Sequence, residues 1–230
     1  MNLSSNSLFH FTPKIEYLKD ILLNGFWPRY CKEYGWGSSI DFALPMVCFC
    51  DIPLSLIEDH TNFYGCYGIG LKRNWATKLK QITPVQYVNY NSHLGSYIRR
   101  LLTKLKNNNL TYPECLPLYY AKKISGEVKN KKGKQITKSF YNEHEWRYIP
   151  KDLNQVPLLP LEKGKEQDLI ELSKTIDKVG FDKTNIQYII VPTAKKREEL
   201  IQFIFNNYNK DEGILLISKI MVLDQIKKDF

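Results

Sequence analysis

Residues 7–25 read SLFHFTPKIEYLKDILLNG, and this stretch sets the fold class. Ser7 to Thr12 is a short strand closed by Pro13, which has no N–H to give a sheet. From Lys14 the apolar residues Ile15, Leu18, Ile21 and Leu22 recur at helical spacing until Gly25 ends the run. A hydrophobic period that switches from two to 3.6 across one proline marks a chain alternating strands with helices.

The alternation continues outward from there. Phe26 to Phe42 mixes aromatics, Gly and Ser and is expected to be a loop. Met46 to Cys50 is a buried strand stopped by Asp51 and Pro53, and Pro53 suits the first turn of a helix with Leu54, Leu56 and Ile57 inside. Cys66 to Leu71 is a strand holding Gly68 and Gly70, and such glycines mark a bulge or a close backbone approach, as by a ligand. A short helix around Trp75, a strand at Val85–Tyr90 and a helix at Gly95–Leu105 follow. Further on, the pattern predicts a strand within Phe140–Ile149, a helix at Glu166–Val179, a strand at Ile186–Val191 and a helix at Lys195–Tyr208. A strand at Ile214–Ile220 and a closing helix from Leu223 complete it. There is no internal repeat and no linker long enough to separate domains, so residues 1–230 are expected to form one α/β (α+β) domain.

Composition bounds the function classes. A chain of 230 residues buries a core without staples, and 43% hydrophobic with 25% charged residues excludes disorder as the default. The 13% aromatic content suits β-rich packing and stacking surfaces. A net charge of +9 suits a polyanionic partner (nucleic acid, a phosphorylated ligand or an acidic protein) or serves solubility alone, and clustering decides between them. The one cluster singled out is Lys122–Lys138, with seven lysines and one acid, Glu127, read as a loop or an exposed hairpin. Its Lys129, Lys131, Lys132 and Lys134 are the candidate contacts to an acidic macromolecule such as nucleic acid. Met1 to Phe11 lacks the basic and apolar regions of a signal peptide, and no apolar run approaches the roughly 20 residues of a membrane helix. Five cysteines make an odd set without a disulfide framework. A cytoplasmic protein away from membranes is the expectation.

Common catalytic signatures are absent: there is no GxxxxGK[ST], no HExxH and no GxSxG. Cys48-x-Cys50 would place two thiols on one strand face, yet Cys31, His60 or Cys66 would have to complete a metal set at spacings that match no standard zinc module. Reduced, metal-free thiols are expected. His10, between Phe9 and Phe11, faces the opposite side of its strand and is either a satisfied histidine or a ligand contact. Glu143-x-Glu145 puts two carboxylates on one side of an extended chain, where they repel unless solvated or used. The plain reading is an exposed strand end with Arg147 as neutralising partner.

Leu8 to Thr12, Pro45 to Ser55 (PMVCFCDIPLS), Tyr67 to Leu71 and Glu143 to Arg147 together resemble the AbiGi family of bacterial abortive-infection, phage-resistance proteins. The resemblance runs over at least residues 8–150, with 45–55 its most specific block. That family is in turn similar to a distant branch of the ADP-ribosyltransferase fold. This implies mixed, mostly antiparallel sheets with flanking helices, and NAD as a substrate. It implies a catalytic set of Glu145, His10 and Glu143, with His10, Thr12, Phe49, Tyr64, Tyr67 and Arg147 around the dinucleotide. Many members place a tyrosine in the second strand where this chain has Cys48 or Phe49, so Tyr64 or Tyr67 would substitute. Cleaving the nicotinamide–ribose bond develops positive charge on the ribose, which a carboxylate such as Glu145 would stabilise. The family is also described as the antitoxin half of a two-gene system, which implies a partner protein encoded alongside. Three functions are therefore weighed: an NAD-dependent mono-ADP-ribosyltransferase acting on nucleic acid or protein, a non-catalytic antitoxin or sensor binding a partner or nucleotide, and a nuclease with Asp51 and Glu127-x-Lys129 as its metal site.

Overall fold

The computed structural model describes residues 4–33, 36, 41–129, 133–152, 157–161 and 166–229. Along the chain come β1 (Ser7–Thr12), α1 (Ile15–Asn24), β2 (Arg29–Glu33), β3 (Phe42–Cys50), α2 (Glu58–Tyr64), β4 (Tyr67–Lys72), β5 (Thr83–Pro84), β6 (Gln86–Val88) and α3 (His93–Lys106). Then follow α4 (Tyr112–Tyr120), β7 (Ala121–Lys123), β8 (Ser125–Lys129), β9 (Gln135–Ser139), β10 (Glu145–Tyr148), β11 (Leu159–Pro160) and α5 (Glu166–Lys174). The chain closes with β12 (Ile186–Val191), α6 (Ala194–Asn207), α7 (Lys210–Ile217), β13 (Ile220–Val222) and α8 (Leu223–Asp229). The mixed α+β class and the mostly antiparallel pairing match expectation. Two compact units form, one from Met1–Phe26, Phe49–Gln81 and Val179–Phe230, the other from Trp27–Cys48 and Ile82–Lys178.

In the first unit β4 lies between β1 and β12, antiparallel to both, and β12 carries β13 parallel on its far side. Phe9 of β1 also pairs with Cys50 at the end of β3. Gly68 and Gly70 have a packing explanation rather than a ligand one. A Cβ at either position would sit 2.6 Å from the ring of Phe11 or Phe9, so these glycines let β4 lie under two phenylalanines. The rings join Cys50, Ile52, Ile57, Ile190 and Leu223 in the core. α1 buries Ile15, Leu18, Ile21 and Leu22 as its spacing predicts, and Gly25 ends it at φ 82.

Two elements of this unit differ from expectation. After Pro53 only a 3-10 turn forms, Leu54–Leu56, with Leu56 exposed, and α2 starts later, at Glu58. Ile214 to Ile220 reads as a strand, but Lys210–Ile217 is helical, and only Ile220–Val222 is extended. Asn209 caps the helix, its side-chain oxygen accepting from the Glu212 N–H at 2.9 Å, with Asp211 and Glu212 in the first turn. Capping and the helix dipole outweigh the strand preference of an Ile-Leu-Leu-Ile run.

In the second unit β3 pairs antiparallel with β2, from Arg29↔Met46 to Glu33↔Phe42, and its first residues also pair with β11. β10 neighbours β3 and is flanked in turn by β5. The segment expected to be a loop therefore contains a strand. The reason is tertiary: β2 has a half-buried, weakly alternating sequence and is ordered by its ladder to β3. β3 also begins at Phe42, four residues before the expected start. Phe42, Leu44 and Met46 pack against Ile98, Leu101, Leu102 and Leu105 of α3 and against Leu118 and Tyr119 of α4. α4 escaped the sequence pattern; a Thr111–Glu114 capping box starts it, and it runs on past Pro117. β6 and β7 pair in parallel, and β8 and β9 form a hairpin, one of the two readings of the lysine-rich stretch. Among the described residues no helix is long and apolar enough to cross a membrane.

Candidate functional site

The segment Tyr141–Tyr148 carries the acid pair. Tyr141–Glu143 is a single helical turn, His144 takes the left-handed conformation (φ 45, ψ 47), and β10 follows. Both carboxylates are turned inward, Glu143 only 4% and Glu145 5% exposed. Cations meet them there. Lys122 of β7 lies 2.6 Å from Glu143 Oε2 and also pairs with Glu145 Oε2. Lys138 of β9 reaches Glu143 Oε1 at 2.7 Å. Arg147, fully buried, donates from Nε to Glu145 Oε1 at 2.6 Å, from Nη1 to the Tyr119 carbonyl at 2.9 Å, and pairs through Nη2 with Glu33 of β2. The backbone N–H of Glu145 donates to the Tyr87 hydroxyl at 2.8 Å. Among the described residues, then, three carboxylates (Glu33, Glu143, Glu145) face three cations (Lys122, Lys138, Arg147).

Electrostatics follow from this closure. Burial alone would raise the Glu145 carboxyl, but the Arg147 and Lys122 charges, with the hydrogen bonds from both, hold it down at about 2. Burial would likewise lower Lys122, and Glu145, Glu143 and Glu33 more than reverse it. Burial lowers Lys138, with Glu143 opposing. The network is ionised and internally neutralised. Arg147 is indeed a partner of Glu145, but Glu143 is met by Lys122 and Lys138 instead, and both acids are buried rather than at an exposed strand end. Sequence reasoning missed Glu33, Lys122, Lys138 and Tyr87. Glu33 sits in a segment whose sequence reads as a loop, and the two lysines look like members of a solvated run until β7 and β9 carry them inward.

Two cysteines, Cys31 and Cys48, feel the charges of this network. Burial pushes the Cys31 thiol up to about 11 and the Cys48 thiol well above its usual range, with Glu145 adding to both effects. All five cysteines are free thiols, and Cys50 packs with Phe9 and Phe11 in the first unit's core. Among the described residues no group of three or more His, Cys, Asp or Glu could hold a metal ion. Asp51, offered as a nuclease ligand, pairs with Arg73 at 3.1 Å and accepts from Ser4, while Glu127 accepts from the Thr137 hydroxyl.

The remaining predicted residues lie in the first unit. His10 meets Phe26 and Phe49 edge-on at 5.2 and 5.8 Å, and those rings continue to Trp75 and Phe181. It therefore lies on the strand face opposite Phe9 and Phe11, as alternation requires. Thr12 is buried at the end of β1. Tyr64 stacks with His60 at 4.6 Å, and Tyr67 opens β4 half-buried, its hydroxyl raised by burial. The predicted residues thus form two sets, His10, Thr12, Phe49, Tyr64 and Tyr67 in one unit and Glu143, Glu145 and Arg147 in the other. Of the lysines, Lys129 ends β8, Lys134 is exposed before β9, and Lys131 and Lys132 lie outside the described residues.

Comparison with known proteins adds a family-level finding. A family model described as abortive phage resistance protein AbiGi, antitoxin, matches residues 24–192. That span contains the whole of the second unit and every member of the ion network, and it begins after β1 with His10 and Thr12. An abortive phage resistance protein AbiGi of Lactococcus lactis subsp. cremoris is 32% identical over 228 residues, covering 83% of this chain and 90% of the relative. No solved structure matches.

Proposed function

This chain belongs to the AbiGi family of abortive phage resistance proteins, and on that premise we propose that it is the antitoxin-type half of a phage-defence pair, restraining a partner protein by binding it. The observation that carries the reading is the engagement of Glu145. Transfer of ADP-ribose needs a carboxylate whose charge is available to the ribose cation and whose oxygens reach a ribose hydroxyl. Here one oxygen is bonded to Arg147 and the other to Lys122, and the side chain is almost wholly buried. A carboxylate neutralised twice has little field left for a passing cation. The family description, which names an antitoxin, supports the same reading.

The rival is the NAD-dependent transferase, with His10, Phe49 and Tyr64 around the dinucleotide. It would require NAD binding to release Glu145 from both cations. One experiment separates the two. The protein is co-expressed with the protein encoded beside it, purified, and incubated with labelled NAD and cell extract. The binding reading expects a retained partner, growth restored to cells expressing that partner, and no label on protein or nucleic acid. NAD-dependent labelling by the parent, lost in a Glu145→Gln variant whose circular dichroism shows it still folded, would put the transferase in its place.

A further inference from the structure

We propose that the solvent face of α3 binds the sugar–phosphate backbone of a nucleic acid. Charge distribution comes first. Residues 82–139 hold eleven of the 33 basic side chains and two of the 24 acidic ones, leaving the rest of the chain balanced at 22 of each. This quarter of the sequence carries the entire excess of +9. Its two acids are already engaged, Glu114 by Lys104 and Glu127 by Thr137. Lys122 and Lys138 are turned into the ion network, so the outward charge falls on α3 and the hairpin.

α3 is fourteen residues long without an acid among them. Ile98, Leu101, Leu102 and Leu105 bury one face in the core. On the other, His93, Ser96, Arg99, Arg100 and Thr103 line one shallow groove along successive turns. Each offers a hydrogen-bond donor, and none carries negative charge. Arg99 is already held in place: its guanidinium lies 4.3 Å from the Tyr90 ring centroid and donates to the Tyr90 carbonyl and to Ser96 Oγ. Two of its five N–H groups serve those bonds, and the fork is oriented before any ligand arrives. Arg100 is exposed, 5.8 Å over the Tyr97 ring, and Lys106 extends the row at the helix end.

An acidic protein would feel the same charge, but protein interfaces centre on buried apolar anchors. The aliphatic residues buried on α3 are committed to its own core, and its one exposed large hydrophobic is Tyr97, beneath Arg100. Donors and cations in a row, without interleaved acids or an apolar centre, match the uniform charge of phosphodiesters.

The test uses the full chain and fluorescein-labelled mixed-sequence oligonucleotides of about 20 units, single- and double-stranded, DNA and RNA, followed by anisotropy from 50 to 200 mM salt. Affinity is expected to fall steeply with salt. Arg100→Gln with Lys106→Gln should reduce the slope of log Kd against log salt by about 2, one for each phosphate no longer neutralised. Lys228→Gln, on the other unit, should leave it unchanged, and circular dichroism should report the same fold for parent and variants. Failure to bind any oligonucleotide at 50 mM salt overturns the proposal, as does an unaltered slope in the α3 variant. Displacement by polyglutamate as readily as by unlabelled oligonucleotide, at equal charge, also overturns it and points to an acidic protein. The inference does not rest on the antitoxin reading, whose partner-retention assay gives its result independently of any oligonucleotide.

Discussion

Arg147 brings a full charge into a core with no exposed surface, and three acceptors on three different elements receive it. Such a group is tolerated only while its partners stay ionised and in place, because a buried ion left alone has several kcal/mol of desolvation uncompensated. From the chain alone, Glu145→Gln looks nearly neutral, since relieving Glu143–Glu145 repulsion would offset the weakened bond to Arg147. The buried geometry reverses that expectation. With Lys122 and Arg147 both deprived of a counter-charge, the variant should lose about 3–5 kcal/mol, read as a fall in denaturation midpoint. A loss below about 1 kcal/mol would mean that water reaches the network freely. The Glu145–Arg147 contact was legible because i and i+2 share a strand face. Glu33 was not, since 114 positions separate it from Arg147 and no local pattern joins them.

Elements are legible in the sequence where hydrophobic period and punctuation agree, as in β1 and α1. The pattern misleads where a cap outweighs propensity. Asn209 and Glu212 stand immediately before the apolar residues of α7, an N-terminal signal present in the sequence but overridden by the run of Ile and Leu. Asn209→Ala should therefore cost about 1 kcal/mol, seen in a urea titration. If stability is unchanged, packing rather than the cap holds this helix. The glycines of β4 give a sharper case. Gly70→Ala places a methyl group 2.6 Å from the Phe9 ring, and moving that ring disturbs a packed core, so a loss of about 1–3 kcal/mol is expected. An unperturbed melting curve would show that Phe9 has room to move. Sequence alone could only say that something approaches these glycines closely, because the ring comes from the neighbouring strand.

At the scale of the whole molecule, the net charge is plain from composition, but its confinement to residues 82–139 takes on meaning from α3, where five polar side chains line one groove. Acid behaviour belongs to this scale as well. Glu145 has its carboxyl lowered from 4.5 to about 2, so the stability it contributes is complete above its unfolded value and is lost as pH falls through the folded one. Melting temperature should decline between about pH 4.5 and 2, and Glu145→Gln should remove some of that decline. Parallel curves for the two proteins would assign acid sensitivity to other carboxylates.

The two units also differ in when their segments become available. The chain of the second unit is complete at Lys178, whereas β12, the strand that covers β4, begins at Ile186. Between the synthesis of Lys72 and Ile186 a ribosome adding about 5–20 residues per second needs roughly 6–23 seconds. During that interval the growing polypeptide carries β4 with one ladder edge unsatisfied, the kind of edge on which strands of neighbouring chains pair. Slow translation, or a message cut short just before codon 186, would therefore favour aggregates seeded from Tyr67–Lys72, even though every residue of the second unit had already been made.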